Sequence, residues 1–285
     1  MAINVSTKLL KEKGLFFSYR ARPIHTIIFK LKGFCYEIIR KAKRKRVIKK
    51  LSHTSIAQSK DIQLGKNLNE SNIFKYKEQF KSVGYTFIED FFSRETHDQL
   101  CDFFPDQIFF NAPRNGAKYY FWSEESRWIN NDENTTFKAS RGKDFFDLYP
   151  AYKELYRFLQ SEEMSKKVKE ITGSKNADLH SIALTRAEEG SYLAPHLDTV
   201  AKKGKPGDKI MMNFIYFLLA GGASPEDSGG TGLYNDNEFK EPVFIPPTIR
   251  NSALLYDSIQ QYNHGFNTMA QGSFRWAIVF QFKIS

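Results

Sequence analysis

After Gly173 the chain consists of short apolar runs, rich in β-branched and aromatic residues, that are separated by Gly, Pro and Asn/Asp clusters. This spacing predicts short strands joined by tight turns. About eight short strands are typical of a jelly roll or barrel, so we expect one of these for the second half of the chain. The eight runs are "DLHSIALTRA", "SYLAPHLDTV", "IMMNFIYFLLA", "GGTGLYND", "PVFIPP", "NSALLYDS", "QYNHGFN" and "FRWAIVFQFKI".

Helical patterns lie before this β-rich half. A strand at Tyr85 to Ile88 is followed by Ser93, a suitable N-cap for a helix that stops at Pro105. A second helical period runs through "LYPAYKELYRFLQSEEMSKKVKEITG" and ends at Gly173, a suitable C-cap. The expected fold class is therefore mainly β with supporting helices (α+β).

Charge and composition divide the chain into three parts. Residues 1–60 hold 16 of the 42 Lys and Arg residues but only two of the 32 acids, so all the net charge of +10 belongs to this segment. Residues 61–72 are polar and rich in Ser and Asn, which predicts a linker. Residues 73–285 are the predicted folded domain, and 41% hydrophobic residues are ample for a core.

The basic segment, residues 1–60, has several interpretations. It contains no apolar run of the roughly 18 residues that a membrane span needs, and no cleavable signal pattern. It could be a solvated basic helix without a dedicated partner, or it could contact an anionic membrane surface or glycan. The run "RKAKRKR" could also bind nucleic acid, which is the least favoured partner. Two cysteines are too few for a disulfide framework, so we expect a cytoplasmic protein, either free or peripheral at the membrane surface.

The run "SYLAPHLDTV" contains a histidine and an aspartate one residue apart, His196 and Asp198. In a strand, alternate side chains share a face, so these two would point together. Burying an imidazole and a carboxylate is costly unless they are paired with each other or bound to a metal. The pair by itself is therefore ambiguous.

A third polar intrusion, His264, and a fourth, Arg275, lie in the last strands. Among the six histidines His264 is the best third ligand, because Arg275 follows eleven residues later across a turn at Gly272. In "FRWAIVFQF" Arg275 alternates with aromatic residues that should pack on the helices, which leaves the guanidinium facing the interior. An inward guanidinium requires an anion, most naturally a carboxylate held by two hydrogen bonds.

Two histidines and one carboxylate form a facial triad, which leaves three adjacent coordination positions open and is characteristic of non-haem Fe(II) oxygenases. A bidentate 2-oxo acid and O2 could take those positions. An inward cation some distance from the metal would bind the far carboxylate of the 2-oxo acid. This arrangement would account for His196, Asp198, His264 and Arg275 together.

From about Ser82 to Ile284 the chain resembles the Fe(II)/2-oxoglutarate-dependent dioxygenase superfamily, specifically its prolyl-4-hydroxylase-like branch. The resemblance implies a double-stranded β-helix (a jelly-roll, cupin-like core), Fe(II) on His196, Asp198 and His264, and 2-oxoglutarate on Arg275. It also implies O2 as co-substrate, with ascorbate as a candidate reductant. The motifs that carry it are "GYTFIEDFFSRETHDQL", "GSYLAPHLD", "GGTGLY" (Gly229 to Tyr234), "NHG" and Arg275.

The sequence departs from the family pattern at two positions near the co-substrate. Many members carry a serine two residues after the arginine, where this chain has Ala277, and a tyrosine where this chain has Ala187. We therefore expect another hydroxyl or amide to replace them. The nearest candidates are Tyr192, Asn213 and Tyr216, although Asn213 could equally make an ordinary core hydrogen bond.

The resemblance implies an oxidative reaction on a C–H bond that releases succinate and CO2, and Asp198 favours hydroxylation over halogenation. A small molecule or glycan is the preferred substrate, ahead of a protein prolyl side chain. Lys202, Lys203 and Lys205, in the loop after the metal motif, would suit an anionic substrate. The contrasting hypothesis is a non-catalytic metal-binding jelly-roll protein that binds partners through its basic N-terminal arm.

Overall fold

The computed structural model describes residues 60–110, 127–131, 138–140, 143–197, 210–257 and 262–285, with scattered positions between 39 and 49. The chain divides into two compact units, Met1–His53 and Thr54–Ser285. In the first unit the described positions are helical and nearly all exposed. Within the described part of the chain, no helix has both the length and the apolar composition required to cross a membrane.

The second unit begins with helices and ends with strands. Its α-helices are α1 (Glu70–Val83), α2 (Arg94–Asp102), α3 (Phe145–Leu148), α4 (Pro150–Leu159) and α5 (Glu162–Thr172). Its strands are β1 (Tyr85–Glu89), β2 (Arg127–Asn131), β3 (Lys138–Ser140), β4 (Lys143–Asp144), β5 (Ala177–Glu188), β6 (Leu193–His196), β7 (Ile210–Gly221), β8 (Gly232–Tyr234), β9 (Pro242–Phe244), β10 (Ser252–Asp257), β11 (Asn263–Phe266) and β12 (Phe274–Ile284).

The strands form two main antiparallel sheets. The larger sheet has six strands in the order β1-β10-β7-β12-β5-β2, and the smaller has four in the order β6-β11-β8-β9. Among the described strands, β3 and β4 pair only with each other. Each of the eight apolar runs in the second half of the sequence contains one strand, from β5 to β12. The predicted fold class, mainly β with supporting helices, is therefore confirmed.

The inner core lies between the two sheets. Ile215, Phe217, Leu254 and Ala277 of the six-stranded sheet pack in one buried cluster with Leu233 of the four-stranded sheet. Alternation along each strand brings these residues to one face. This core supports the strands that present the predicted site.

The helices and aromatic residues cover the opposite face of the larger sheet. Trp276 of β12 stacks on Phe104, which follows α2, at a ring-centroid distance of 4.5 Å. Phe280 of the same strand stacks on Phe214 of β7 at 4.8 Å. The prediction that the aromatic residues of β12 pack away from the inner face is therefore confirmed.

The predicted helix ends are largely correct. The Ser93 side chain accepts a hydrogen bond from the backbone N–H of Thr96 at the start of α2, and Gly173 ends α5 in the left-handed conformation with φ of 74°. The second helical stretch, however, is broken into separate helices. Ser161 starts α5 by accepting a hydrogen bond from the backbone of Met164, and a serine in that role favours a new helix start over a continuous helix.

Residues 61–72, predicted as a linker, contact the rest of the second unit at several positions. Ile62 and Leu68 are buried, and the backbone N–H of Gly65 donates to the carbonyl of Phe91 at 2.8 Å. The segment then continues directly into α1. Two apolar side chains thus anchor a segment of polar composition to the rest of the second unit, before residue 73.

Candidate metal centre

The two described histidines of the predicted triad are cross-strand neighbours in the four-stranded sheet. His196 ends β6 and His264 lies in β11, and the strand register pairs them directly. Their ring centroids are 4.4 Å apart. His264 is buried and His196 is partly exposed. The structure thus brings together two residues that are 68 positions apart in the sequence, at a separation that suits joint ligation of one ion.

Gly265, the residue after His264, permits the close approach of β11 to β6. A Cβ atom at this position would lie 2.5 Å from the carbonyl oxygen of Leu193 and 2.8 Å from the backbone nitrogen of Pro195. Both are backbone atoms that cannot move aside without displacing the strand. Glycine in the "NHG" motif therefore has a packing role that supports the pairing of His264 with His196.

The orientation of His196 suits metal binding through one nitrogen. Its Nδ1 lies 2.8 Å from the carbonyl oxygen of Ala194, and a carbonyl can only accept, so Nδ1 carries the proton and donates. Nε2 is then the nitrogen with a lone pair for a metal ion. A hydrogen bond of this kind commonly fixes the ring of a metal-binding histidine.

Asp198, the third predicted ligand, lies outside the described residues, and so does the lysine-rich loop that follows it. Among the residues that are described, no group of three or more His, Cys, Asp or Glu side chains could hold a metal ion. The pair of histidines fits two positions of a facial triad, and Asp198 stays a prediction for the third.

Arg275, at the start of β12, is buried as predicted, with 2% of its surface exposed. Its Nη1 donates to the carbonyl of Gly229 at 2.6 Å and to Oγ1 of Thr231 at 2.9 Å. Its Nη2 lies 3.5 Å from Oγ1 of Thr185. The guanidinium carbon is 4.3 Å from the centre of the Phe266 ring. All these partners are neutral.

The charge of Arg275 has no counter-ion in the described part of the protein. No described carboxylate forms an ion pair with it, and its Nε is buried without a hydrogen-bond partner. Burial lowers the pKa of Arg275 to about 9, because desolvation disfavours the charged form. A buried cation with an unused N–H group is an arrangement that an anionic ligand would complete.

The hydroxyl groups near Arg275 come from two residues that the sequence analysis missed, Thr185 and Thr231. Thr185 is the cross-strand partner of Ala277, so its hydroxyl lies beside the position where many family members have a serine. Thr231 lies inside the motif "GGTGLY". The sequence does carry a signal for Thr185. It lies two residues before Ala187 in the same strand, so the two side chains share one face.

Tyr192, Asn213 and Tyr216 were the candidates to supply a hydroxyl or amide near the co-substrate. Asn213 lies on the inner face of the larger sheet. Its amide nitrogen donates to the hydroxyl of Tyr256 at 3.2 Å, and its oxygen accepts from Gln281 at 2.7 Å. It pairs with Gln281 of β12 and not with Arg275, so it belongs to a different part of the interior. Tyr192 is partly buried immediately before β6, and its role stays a prediction.

The structure contradicts the prediction that Tyr216 lies near the co-substrate. It points to the opposite face of β7 from Ile215 and Phe217, as strand alternation requires. Its hydroxyl donates to Oδ1 of Asn251 at 3.0 Å and lies 3.1 Å from Nδ1 of His97. Burial raises the pKa of Tyr216 well above its usual range. Tyr216 therefore belongs to the helix side of the sheet and does not contact the predicted co-substrate position.

The histidine pair lies on the smaller sheet and the buried arginine on the larger sheet of this antiparallel fold. The domain has the fold of the non-haem Fe(II)/2-oxoglutarate oxygenases. Solved structures with this fold match most of the chain. They include the 2-oxoglutarate-dependent epimerase SnoN of nogalamycin biosynthesis, at a TM-score of 0.53 and 10% identity over 75% of this chain and 82% of that one.

Two further structures show the same likeness. A 2OG-Fe(II) oxygenase-family protein from Burkholderia pseudomallei matches at a TM-score of 0.51 and 13% identity, over 78% of this chain and 95% of its own. AviO1 from Streptomyces viridochromogenes matches at 0.50 and 17%, over 76% and 95%. No protein-family model and no curated protein matches the sequence. The likeness therefore establishes the fold, while the prolyl-4-hydroxylase-like branch stays a prediction.

Proposed function

We propose that the domain is a non-haem Fe(II)- and 2-oxoglutarate-dependent oxygenase that hydroxylates an unactivated C–H bond of a small molecule or glycan. The observation that carries this proposal is Arg275, a buried cation without a described counter-ion, in the same interior as the histidine pair. A structural arginine would be expected to have a carboxylate partner. A dicarboxylate co-substrate supplies one.

The metal would be held by Nε2 of His196, by His264 and by Asp198. The hydrogen bond from Nδ1 of His196 to Ala194 fixes one of these rings before the metal binds. Fe(II), when bound, supplies the oxidising chemistry with O2 that no amino-acid side chain can provide. The role of the protein is to hold the ligands and to orient what binds beside them.

Arg275 would bind the distal carboxylate of 2-oxoglutarate. Thr231 and the carbonyl of Gly229 hold Nη1, which leaves Nε, and the weakly bonded Nη2, to donate to the anion. Phe266, beneath the guanidinium, is two residues from His264 on β11, a separation of roughly 7 Å along a strand. A five-carbon diacid can bridge from Arg275 to a metal on His264.

The interior beside these residues would exclude bulk water. Ile215, Phe217 and Leu233 are almost wholly buried in the cluster between the sheets. Charge interactions are stronger in such a medium than in water, so a carboxylate on Arg275 would be held firmly. The same medium would protect a reactive metal site from side reactions.

The first test is spectroscopic. Anaerobic addition of Fe(II) and 2-oxoglutarate to the purified protein should produce the weak visible charge-transfer band of the chelate. A succinate-release screen over metabolite and glycan pools should then identify the substrate, and a prolyl peptide among the hits would favour the protein-hydroxylase alternative. If the band is absent at saturating iron and 2-oxoglutarate, the protein is not such an oxygenase, and a non-catalytic metal-binding jelly roll becomes the better account.

We further propose that the basic segment contacts an anionic membrane surface. Its described cations, Lys43, Lys45, Arg46 and Lys49, lie on helical residues and are exposed. Each cation near an anionic surface contributes about 1 kcal/mol. Deletion of residues 1–53, the first compact unit, should abolish sedimentation with phosphatidylserine vesicles and leave succinate release intact. Unchanged sedimentation would remove this proposal.

A further inference from the structure

Strand β1 is the outermost strand on one side of the six-stranded sheet. In an antiparallel pair, alternate residues bond to the partner strand, and the residues between them direct their backbone groups away from it. The N–H of Asp257 donates to the carbonyl of Gly84 at 3.2 Å, so the register makes Thr86 and Ile88 the residues that bond to β10. The residues whose N–H and C=O groups point to the outer edge are therefore Tyr85, Phe87 and Glu89.

The chain itself covers one end of this edge. Leu64 pairs antiparallel with Phe92, just beyond β1, and the side-chain amide of Asn67 donates to the carbonyl of Glu89 at 2.9 Å. Within the described ranges, the backbone of Phe87 has no hydrogen bond beyond the pairing of β1 with β10. Sheet edges are normally protected from other chains. This edge is covered by a chain segment at one end and is open at Phe87.

A groove of about 590 Å³ lies at the open part of the edge, a volume in the range of ligand-binding clefts. One wall is apolar and consists of Phe87, Phe244 and Pro247, and the two rings are 5.4 Å apart, centroid to centroid. The hydroxyl of Thr86, the residue before Phe87, donates to Oε1 of Gln79 at 2.8 Å, so α1 lies on the opposite face of β1 from the Phe87 ring. The second wall, on that face, is polar, and its members are Asn67, Asn72, Lys75, Tyr76 and Gln79.

The polar wall offers groups that the described residues leave unused. Tyr76 is 7% exposed, and its hydroxyl forms no hydrogen bond with any residue that the structure describes. Burial raises the pKa of Tyr76, so this hydroxyl keeps its proton at neutral pH and can donate. Lys75 is exposed and forms no ion pair with a described carboxylate. Both side chains are available to a ligand that lies along β1.

The outer edge of β1 matches the backbone of an extended peptide. A segment opposite Phe87 would exchange N–H···O=C bonds with it, as two antiparallel strands do, and such main-chain bonds are the basis of peptide recognition by strand addition. Alternation along the added segment would direct one set of side chains to Phe244 and Pro247 and the other set to α1. The charge of Lys75 favours an acidic residue in the second set.

We propose that the open edge of β1 binds an extended segment of a partner polypeptide as an additional antiparallel strand. The segment alternates apolar side chains, which contact the apolar wall, with polar or acidic side chains, which face Lys75 and Tyr76. Its orientation follows that of Leu64, which already pairs antiparallel along the same edge. The proposal uses neither the histidine pair nor the buried arginine, so it does not depend on the oxygenase function.

Fluorescence anisotropy with the full chain tests this proposal. The probe is a fluorescein-labelled, C-terminally amidated peptide of sequence Thr-Val-Glu-Val-Thr-Val, which has the required alternation. Two control peptides carry three N-methyl groups each. In one they are on the valines, whose N–H groups would face β1. In the other they are on the two threonines and the glutamate, whose N–H groups would point away from β1.

We expect saturable binding of the unmodified peptide and equal binding of the peptide methylated on threonine and glutamate. Methylation of the valines should weaken binding at least about tenfold, because the bonds to β1 are lost. Lys75→Glu should weaken binding about threefold through the glutamate of the probe. Lys77→Glu is the matched control, since Lys77 is exposed on the same helix and does not line the groove, and it should leave binding unchanged.

Amide hydrogen exchange measured by NMR locates the bound peptide. In the protein alone the amide of Phe87 should exchange rapidly, whereas the amides of Thr86 and Ile88 should be protected by their bonds to β10. Addition of the unmodified peptide should slow exchange at Phe87 and leave the other two unchanged. Protection of Phe87 before any peptide is added would show that the edge is already occupied, by the chain itself or by a second copy, and would overturn the proposal.

Three results of the binding experiment would also overturn it. The first is no saturable binding of the unmodified peptide at about 1 mM. The second is equal affinity of the two methylated peptides, which would mean that no strand is added. The third is an equal loss in Lys75→Glu and Lys77→Glu, which would mean that the peptide responds to the overall charge of α1 and not to the groove. None of these results bears on metal or 2-oxoglutarate binding.

Discussion

The guanidinium carbon of Arg275 lies 4.3 Å from the centre of the Phe266 ring, and Phe266 is two residues beyond His264 on β11. This contact joins the strand that carries His264, the predicted distal metal ligand, to the strand that carries the buried cation. A cation over an aromatic face is stabilised by the ring quadrupole, but much less than by a carboxylate. Phe266 thus holds the position of Arg275 while leaving its charge available to an anion.

Replacement of Arg275 by methionine should separate co-substrate binding from metal binding. The affinity for 2-oxoglutarate should fall by about 2–3 kcal/mol, because a charge-assisted hydrogen-bonded contact is lost. Metal affinity measured by calorimetry should stay within about twofold, since Arg275 is not a ligand. The variant should also unfold at a higher temperature without ligand, because a desolvated cation is removed. Equal loss of metal and 2-oxoglutarate binding would mean that Arg275 is structural.

The affinity for 2-oxoglutarate should depend on pH through Arg275. Burial lowers its pKa to about 9 in the folded protein, well below the usual value for an arginine. Burial of the charged guanidinium lowers the stability of the folded protein, and this effect is fully present below pH 9. It decreases as the pH rises through 9, because the folded protein releases the Arg275 proton at a lower pH than the unfolded chain does. The anion needs the charged form, so its affinity should fall about tenfold per pH unit above pH 9.

Pyruvate provides the control for this pH dependence, because it is a 2-oxo acid without the distal carboxylate. The ratio of 2-oxoglutarate affinity to pyruvate affinity, measured by calorimetry from pH 7 to 10, removes any effect of pH on the metal. This ratio should be constant up to about pH 8.5 and fall above it. A constant ratio up to pH 10 would show that Arg275 does not titrate in this range.

Thr231→Val should weaken 2-oxoglutarate binding by about 1 kcal/mol. The hydroxyl of Thr231 accepts from Nη1 of Arg275 at 2.9 Å, and valine has the same shape without an acceptor, so the guanidinium loses orientation. Thr172→Val is the matched control, since its hydroxyl bonds only within α5 and to Ser174. Equal effects of both substitutions on the dissociation constant would indicate a general loss of stability.

Gly265→Ala should separate β6 and β11, the strands that carry the two predicted histidine ligands. A Cβ at this position would lie 2.5 Å from the carbonyl oxygen of Leu193, so β11 must move away from β6. We expect a loss of about 1–3 kcal/mol in the free energy of unfolding and a larger loss of metal affinity than of stability. Gly221→Ala is the control, because its Cβ would meet only the Phe274 side chain at 3.2 Å. Unchanged metal binding in Gly265→Ala would contradict this role.

Local patterns in the sequence determined the secondary structure of the β-rich half and the inward position of Arg275. Apolar runs ended by Gly and Pro identified β5 to β12, because strand alternation and turn chemistry act within a few residues. The same alternation put Arg275 on the inner face. Ser93 and Gly173 were recognised as helix ends because a cap is defined by its own backbone conformation and the next few residues.

Only the tertiary structure decided which residues meet across strands. The pairing of His196 with His264, the contact of Thr231 with Arg275 and the face of Tyr216 depend on strand register. A shift of one residue reverses the face of every side chain in a strand, and no local pattern reports it. The polar composition of residues 61–72 likewise concealed the burial of Ile62 and Leu68, because two apolar side chains suffice to anchor a segment. Spacing alone could show that the chain carries two histidines and an inward arginine; the register places them around one interior.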